Sequence, residues 1–185
     1  VSITMDKIDA KTLTIGQGLS IYFIHGNRDF LLGSEFEKNT GLRIIDDMTV
    51  IKDSGISLMI AHGDSFCIDD IEYQALKKSL RSEEWKKDFL QKPIAERIAF
   101  ADDLRAKSAE SSSNKAENIM DVNKSYVAEV IEKHKIDFLI HGHTHRPAIH
   151  KLDNGSSRVV LGSWEDEGWV AEYSKGNIEL KSFTI

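Results

Sequence analysis

Phe138-Leu139-Ile140-His141-Gly142-His143-Thr144-His145 carries an apolar run straight into a glycine set among histidines. The same ending occurs twice upstream. Ile21-Tyr22-Phe23-Ile24 meets His25-Gly26, and Leu58-Met59-Ile60-Ala61 meets His62-Gly63. Short continuous apolar runs with β-branched and aromatic residues read as strands buried on both faces, as in an α/β sandwich. A glycine immediately after each run lets the backbone turn sharply and come close to a ligand. In open α/β sheets ligands collect beyond the carboxyl ends of the strands. Three polar-tipped strands therefore predict one shared site.

The residues at those tips suggest metal chemistry. In an extended segment residues two apart share a side, so His143 and His145 are expected to face one metal centre. A neutral imidazole is a good ligand for manganese, iron or zinc. His62, opening His62-Gly63-Asp64, is a second candidate; a satisfied core histidine is the plainer reading of it alone. In Gly26-Asn27-Arg28-Asp29 the Asn27 carbonyl is a neutral hard oxygen suited to manganese or magnesium. Arg28 beside it can hold a phosphate with two parallel hydrogen bonds. An Asn turn after a strand accounts for the same motif without a ligand.

Between the second and third strands the pattern turns helical. Ile71–Leu80, Glu83–Leu90 and Ile94–Lys107 place apolar residues at helical spacing, with Pro93 as punctuation. A polar linker is expected at Ser108–Lys115, then an amphipathic helix over Ile119–His134. After Lys151 the chain turns β-rich, with strands expected at Arg158–Leu161 and Trp169–Tyr173. Thr12, Thr14, Gly16 and Gly18 argue against a helix near the start.

Composition narrows the class. The 185 residues suffice for one domain with a substantial core, and 41% hydrophobic with 29% charged residues is ordinary for a water-soluble chain. No apolar run approaches the roughly 18 residues that a membrane span needs, and no signal peptide is expected. The single cysteine, Cys67, has no partner for an internal disulfide, which suits a reducing cytosol; it reads as a small buried hydrophobe. A net charge of -6 argues against nucleic acid as partner. Residues 73–107 run against that balance, with nine Lys/Arg and six Asp/Glu.

The order of these motifs resembles the calcineurin-like metallophosphoesterases. Longer strings narrow the resemblance to the UDP-2,3-diacylglucosamine diphosphatases of lipid A synthesis: HGNRDFLLG at His25–Gly33, HGD at His62–Asp64, NIMDVN at Asn118–Asn123, LIHGHTHRP at Leu139–Pro147 and RVVLGSW at Arg158–Trp164. The resemblance implies a four-layer α-β-β-α sandwich with a helical lid insertion. Residues 1–70 and 118–185 would form the core, and residues 71–117 the lid. It further implies two manganese ions, with Asn27, His62, His143 and His145 among the metal ligands. Arg28 and His143 would act on the phosphoryl group. Asn27, Arg28, Asp70, Arg105, Ser108, Ser112, Lys115 and His143 would contact substrate.

The activity so implied is attack of water on the α-phosphorus of UDP-2,3-diacylglucosamine, giving UMP and 2,3-diacylglucosamine 1-phosphate. The enzyme would lie in the cytoplasm, peripheral on the inner face of the inner membrane, with no protein partner. Lys77, Lys78, Arg81, Lys86 and Lys87 could dock the lid on anionic headgroups, although a solvated helix face explains them equally. The family's D-x-H and GDxxD motifs do not occur in these 185 residues. The expectation is therefore an incomplete second metal site and an inactive chain as given. Another phosphoesterase of the same fold, or a truncated inactive domain, are the alternative readings.

Overall fold

The computed structural model describes residues 2–4, 20–114 and 119–185, with side chains at 20–108 and 119–185. The residues Thr12 to Gly18, expected not to be helical, lie outside the described ones. Among the described residues ten strands run in chain order: β1 (Ser2–Thr4), β2 (Tyr22–Ile24), β3 (Arg43–Ile45), β4 (Thr49–Asp53), β5 (Ile56–Ala61), β6 (Phe138–His141), β7 (Ala148–Lys151), β8 (Ser157–Val160), β9 (Glu167–Ser174) and β10 (Asn177–Thr184). The helices are α1 (Ser34–Thr40), α2 (Ile71–Leu80), α3 (Glu83–Leu90), α4 (Ile94–Asn114) and α5 (Lys124–His134). Residues 1–64 and 124–185 form one compact unit, and Ser65–Asn123 forms a second.

The first unit is α/β and centres on a mixed five-stranded sheet in the order β4-β5-β6-β8-β7. β5, β6 and β8 are parallel neighbours, while β4 and β7 run antiparallel at the edges. Leu58 and Ile140 point into a core that also holds Val159, Leu161, Ala171, Tyr173 and Ile178. The last three belong to the sheet β1-β9-β10, so two sheets pack face to face over one apolar layer. The alternate residues Met59 and Leu139 are fully buried as well. β5 and β6 are thus buried on both faces, which is why they read as continuous apolar runs. α5, leading into β6, contributes a buried stripe of Val127, Val130 and Ile131.

β2 departs from the expectation. It pairs in parallel with β3 in a separate two-stranded sheet, and Tyr22 is 52% exposed. An apolar run shows that a segment is able to be buried; it cannot say which sheet it joins.

Two helix boundaries also moved. The polar linker expected at Ser108–Lys115 is helical through Asn114. No glycine or proline interrupts 94–114, serine costs a helix only a few tenths of a kcal/mol, and elongating an existing helix is cheap. Close pairs at helical spacing support the preceding turns, Arg105 with Asp102 at 2.5 Å and Lys107 with Asp103 at 2.7 Å. In the other direction α5 starts at Lys124, not Ile119. Asn123 is pinned outside the helix, its N–H donating to the Phe66 carbonyl at 2.8 Å and its amide to Asp69 at 2.9 Å.

Within the second unit Trp85 stacks on Phe89 with centroids 4.5 Å apart, and Phe100 closes the group 5.2 Å from Phe89. Cys67 is 2% exposed, a small buried hydrophobe as its sequence context suggested.

Replacing Ile140, wholly buried between the sheets, by alanine should cost about 2–5 kcal/mol in urea unfolding. Ile149→Ala on the edge strand β7, at 39% exposure, should cost less than about 1 kcal/mol. Equal losses would contradict the placement of the core.

Candidate metal centre

β5 and β6 end side by side, with Ala61 opposite His141 in the ladder. One residue further, the Gly142 N–H donates to the His62 carbonyl at 2.9 Å, carrying the pairing past both strands. Gly63 follows at φ 119, in the left-handed half of the map. A β-carbon there would stand 2.8 Å from the Gly142 oxygen, 2.8 Å from His141 Nδ1 and 3.2 Å from His143 Cβ. Only glycine permits that approach. Its consequence is that His62 and His143 stand edge to face with ring centroids 5.0 Å apart. His62 is 5% exposed, and its backbone N–H donates to Asp47 Oδ1 at 2.8 Å.

The third tip arrives from the other sheet. A β-carbon on Gly26 would lie 3.3 Å from His62 Cε1, so the Gly26 backbone rests against the imidazole edge. Asp29 closes the loop, its Oδ1 accepting the Gly26 N–H at 2.5 Å. Asn27 and Arg28 sit at the exposed tip between them. The turn expected of Asn27 is thus made by Asp29, which leaves the Asn27 amide out of the closing bond.

The geometry at His143 overturns the extended reading of the His-x-His segment. Thr144 donates its N–H to the Gly142 carbonyl at 2.8 Å, an i to i+2 bond around His143 at φ 63. That is the tight three-residue turn of the rarer, strained hand. His145 is also left-handed, at φ 52. The simple alternation of a strand therefore does not apply. His143 is half-buried near His62, and His145 is exposed.

Of the sequence candidates, the structure brings together His62, His143 and the loop carrying Asn27 and Arg28. His145 is exposed two residues past His143 in the same unit, and the remaining candidates lie in the second unit. Asp70 caps α2, accepting the Tyr73 N–H at 3.1 Å. Arg105 and Ser108 are exposed on α4. The Ser112 side chain and all of Lys115 lie outside the described residues. Sequence reading missed Asp47 and Asp29 as supports. Asp29 carried a signal, a carboxylate three residues beyond a strand-end glycine; Asp47 carried none, being 15 residues from its partner.

Two imidazoles and an amide oxygen suit a first-row divalent cation. Among the described residues, however, no three His, Cys, Asp or Glu side chains gather closely enough to hold one. The donors fit as part of a shell. His62 and His143 would hold the ion, and Asn27 and His145 are the candidates that would join them.

The family model for calcineurin-like phosphoesterases matches residues 4–147. A UDP-2,3-diacylglucosamine hydrolase of Pectobacterium carotovorum subsp. carotovorum (strain PC1) is 41% identical over 170 residues, covering 90% of this chain and 71% of that protein. One from Yersinia pseudotuberculosis serotype O:1b (strain IP 31758) matches with the same identity and coverage. This chain belongs to the UDP-2,3-diacylglucosamine hydrolase family of calcineurin-like phosphoesterases. Among solved structures, a novel archaeal phosphodiesterase aligns at 13% identity and a TM-score of 0.45, covering 91% of this chain and 70% of that one. Divalent-metal use is a property of the phosphoesterase family, and the paired histidines of this hydrolase-family chain lie where its strand tips converge.

Gly63→Ala should destabilise the protein by about 2 kcal/mol or more, since the new methyl meets backbone and a buried ring at a positive φ. Gly33→Ala, where nothing lies within 4 Å, should change stability by less than about 1 kcal/mol. Thermal unfolding of the two variants checks the contrast. A Gly63→Ala protein that melts like its parent would remove the close approach on which the site is built.

Proposed function

We propose that this chain serves the hydrolysis of the pyrophosphate bond of UDP-2,3-diacylglucosamine once the D-x-H and GDxxD carboxylates that its 185 residues lack are supplied, water attacking the α-phosphorus to release UMP and 2,3-diacylglucosamine 1-phosphate. The observation that carries this reading is the pairing of His62 and His143, 5.0 Å apart at adjacent strand tips, in a chain 41% identical to proteins named for that hydrolysis. Manganese is the proposed metal, because imidazole and amide-oxygen donors suit it. When bound, a divalent pair supplies a water of lowered pKa and neutralises phosphoryl oxygens.

The chain's own residues have the remaining tasks. Arg28, at an exposed loop tip, offers the planar fork of donors that matches two phosphoryl oxygens. His143 stands half-buried beside His62, where its imidazole can meet charge developing on the phosphoryl group. Asp70, Arg105, Ser108, Ser112 and Lys115 are the proposed contacts to the glucosamine and its phosphate. For Asp70 the capping bond is a competing duty, so its removal should also loosen α2. The proposed lid is residues 71–117.

The proposed place is peripheral, on the inner face of the inner membrane, and the acyl chains of the substrate support that reading. In the second unit Ile71, Ile94 and Ile98 are 72%, 66% and 57% exposed. Lysines at 77, 78, 86 and 87 accompany them, a pairing of apolar and basic groups suited to an anionic interface. No helix among the described residues is long and apolar enough to cross a membrane.

His62→Ala and His143→Ala should each lower UMP release from UDP-2,3-diacylglucosamine by more than about 100-fold, a larger loss than a supporting residue gives. Their melting temperatures should stay near that of the parent. Arg105→Ala or Lys115→Ala, each removing a charge-assisted contact worth about 2 kcal/mol, should lower kcat/KM some tens-fold. Turnover retained in both histidine variants would sink the site. Unchanged kinetics in both lysine and arginine variants would sink the substrate contacts while leaving the centre standing.

A further inference from the structure

A line of hydrogen bonds runs behind the strand tips and ends on the turn at His143. Arg158 in β8 pairs in register with Leu139 of β6, which puts it diagonally across from His141 on the same face. It is 7% exposed, and its Nη1 lies 3.2 Å from His141 Nε2. A guanidinium has donors only, so Nε2 must accept, and the proton of the neutral ring sits on Nδ1. Nδ1 in turn donates to the Gly142 carbonyl at 2.9 Å. That oxygen also accepts the Thr144 N–H at 2.8 Å, the bond that closes the left-handed turn around His143.

The arrangement is built, because each part excludes an alternative. His141 is fully buried, so water cannot take over either of its bonds. The Gly142 carbonyl belongs to the peptide that leads into His143; holding its oxygen from both sides fixes the plane from which the His143 side chain departs. Gly63 leaves open the space that His141 Nδ1 and the Gly142 oxygen fill, each 2.8 Å from where its β-carbon would be. Burial of a strand arginine would be satisfied by any acceptor. Here the bond instead selects one tautomer of the next residue, as supporting groups do around metal-binding histidines.

We propose that Arg158 and His141 are positioning residues, holding the Gly142 carbonyl so that His143 keeps its strained turn and its place beside His62. The inference rests on His143 as a metal ligand. The tautomer and the turn can nevertheless be observed without any metal.

The test uses the full chain, four substitutions at His141 and Arg158, and His143→Ala beside them. Asparagine places an amide donor near the position of Nδ1, so His141→Asn should keep the bond to Gly142, whereas His141→Leu removes it. Arg158→Lys keeps a donor to Nε2, and Arg158→Met removes it. Amide exchange at Thr144 reports the turn. Cobalt(II) titration, followed by visible absorption, reports the site, and melting temperature reports the fold. In His141→Leu and Arg158→Met, Thr144 exchange should accelerate at least tenfold and cobalt affinity should fall about tenfold to 100-fold. His141→Asn and Arg158→Lys should stay within about threefold of the parent on the same scale.

Unchanged Thr144 protection in the two removing variants overturns the proposal. So does a loss of cobalt affinity that follows melting temperature across all four. Should His141→Leu fail to fold, the Arg158 pair decides alone. A His143→Ala protein that binds cobalt like the parent would overturn the ligand reading instead; responsive Thr144 exchange in that case separates the two failures.

Discussion

The close approach of Gly63 to the Gly142 carbonyl, with room for no β-carbon between them, sets where both histidines stand. Parallel pairing of β5 and β6 brings the two strand ends level, and the backbone bond from Gly142 to His62 extends that pairing beyond the ladder. From there each chain must leave the sheet. Gly63 does so at a φ that other residues avoid, and the His141 ring takes the vacated volume. The rest of the first unit serves this junction. Sheet-on-sheet burial of Leu58 and Ile140 fixes the strands from one side, and Met59 and Leu139 are buried on the other. A central strand packed on both faces cannot slip by one residue without exchanging its two buried faces, so the register of the tips is secured by the core behind them.

How much of this could be read from the chain depends on whether the cause is local. An apolar run followed by His-Gly is local, and β5, β6 and the histidine pair at their ends were legible from it. Ile71–Leu80 and Glu83–Leu90 were legible to the residue from apolar spacing, and in the structure Asp70 and Ser82 supply the capping oxygens that start them there. Lost to inspection were the facts set by distant partners. β2 joining β3 instead of the main sheet, Asp47 holding the His62 N–H, and Asn123 tied to Phe66 all depend on contacts that spacing does not encode. The serine-rich stretch was misjudged for another reason. Its composition resembles a linker, but composition sets a weak preference, and a helix already formed over Ile94–Lys107 extends into serines at small cost.

Backbone strain distinguishes the site from the scaffold. Six residues other than glycine have positive φ among those described: Met48, Ser54, Lys135, His143, His145 and Lys175. Ser54-Gly55 and Lys175-Gly176 are two-residue hairpin turns, in which left-handed backbone matches the twist of the strands. Lys135 ends α5, where the Ile136 N–H reaches back to the Ile131 carbonyl, the bond of a left-handed helix cap. Met48 turns the chain between β3 and β4. Those four follow from connecting one element to the next. His143 and His145 do not, because the six residues between β6 and β7 leave ample length for a relaxed path.

A left-handed conformation costs an ordinary residue about 1 kcal/mol or more, and glycine at either position would remove that cost. It would also remove the imidazole. The segment instead places glycine at 142, where φ imposes no such demand, and histidine at the two positions where it does. Stability alone would favour the opposite arrangement. The strain is tolerable because the surrounding structure over-determines the turn: Thr144 and His141 both hold the Gly142 oxygen, and Gly63 closes the space beneath. Two side chains kept at positions unfavourable to them, one of them 5.0 Å from a third imidazole, set this turn apart from the four that only connect one element to the next.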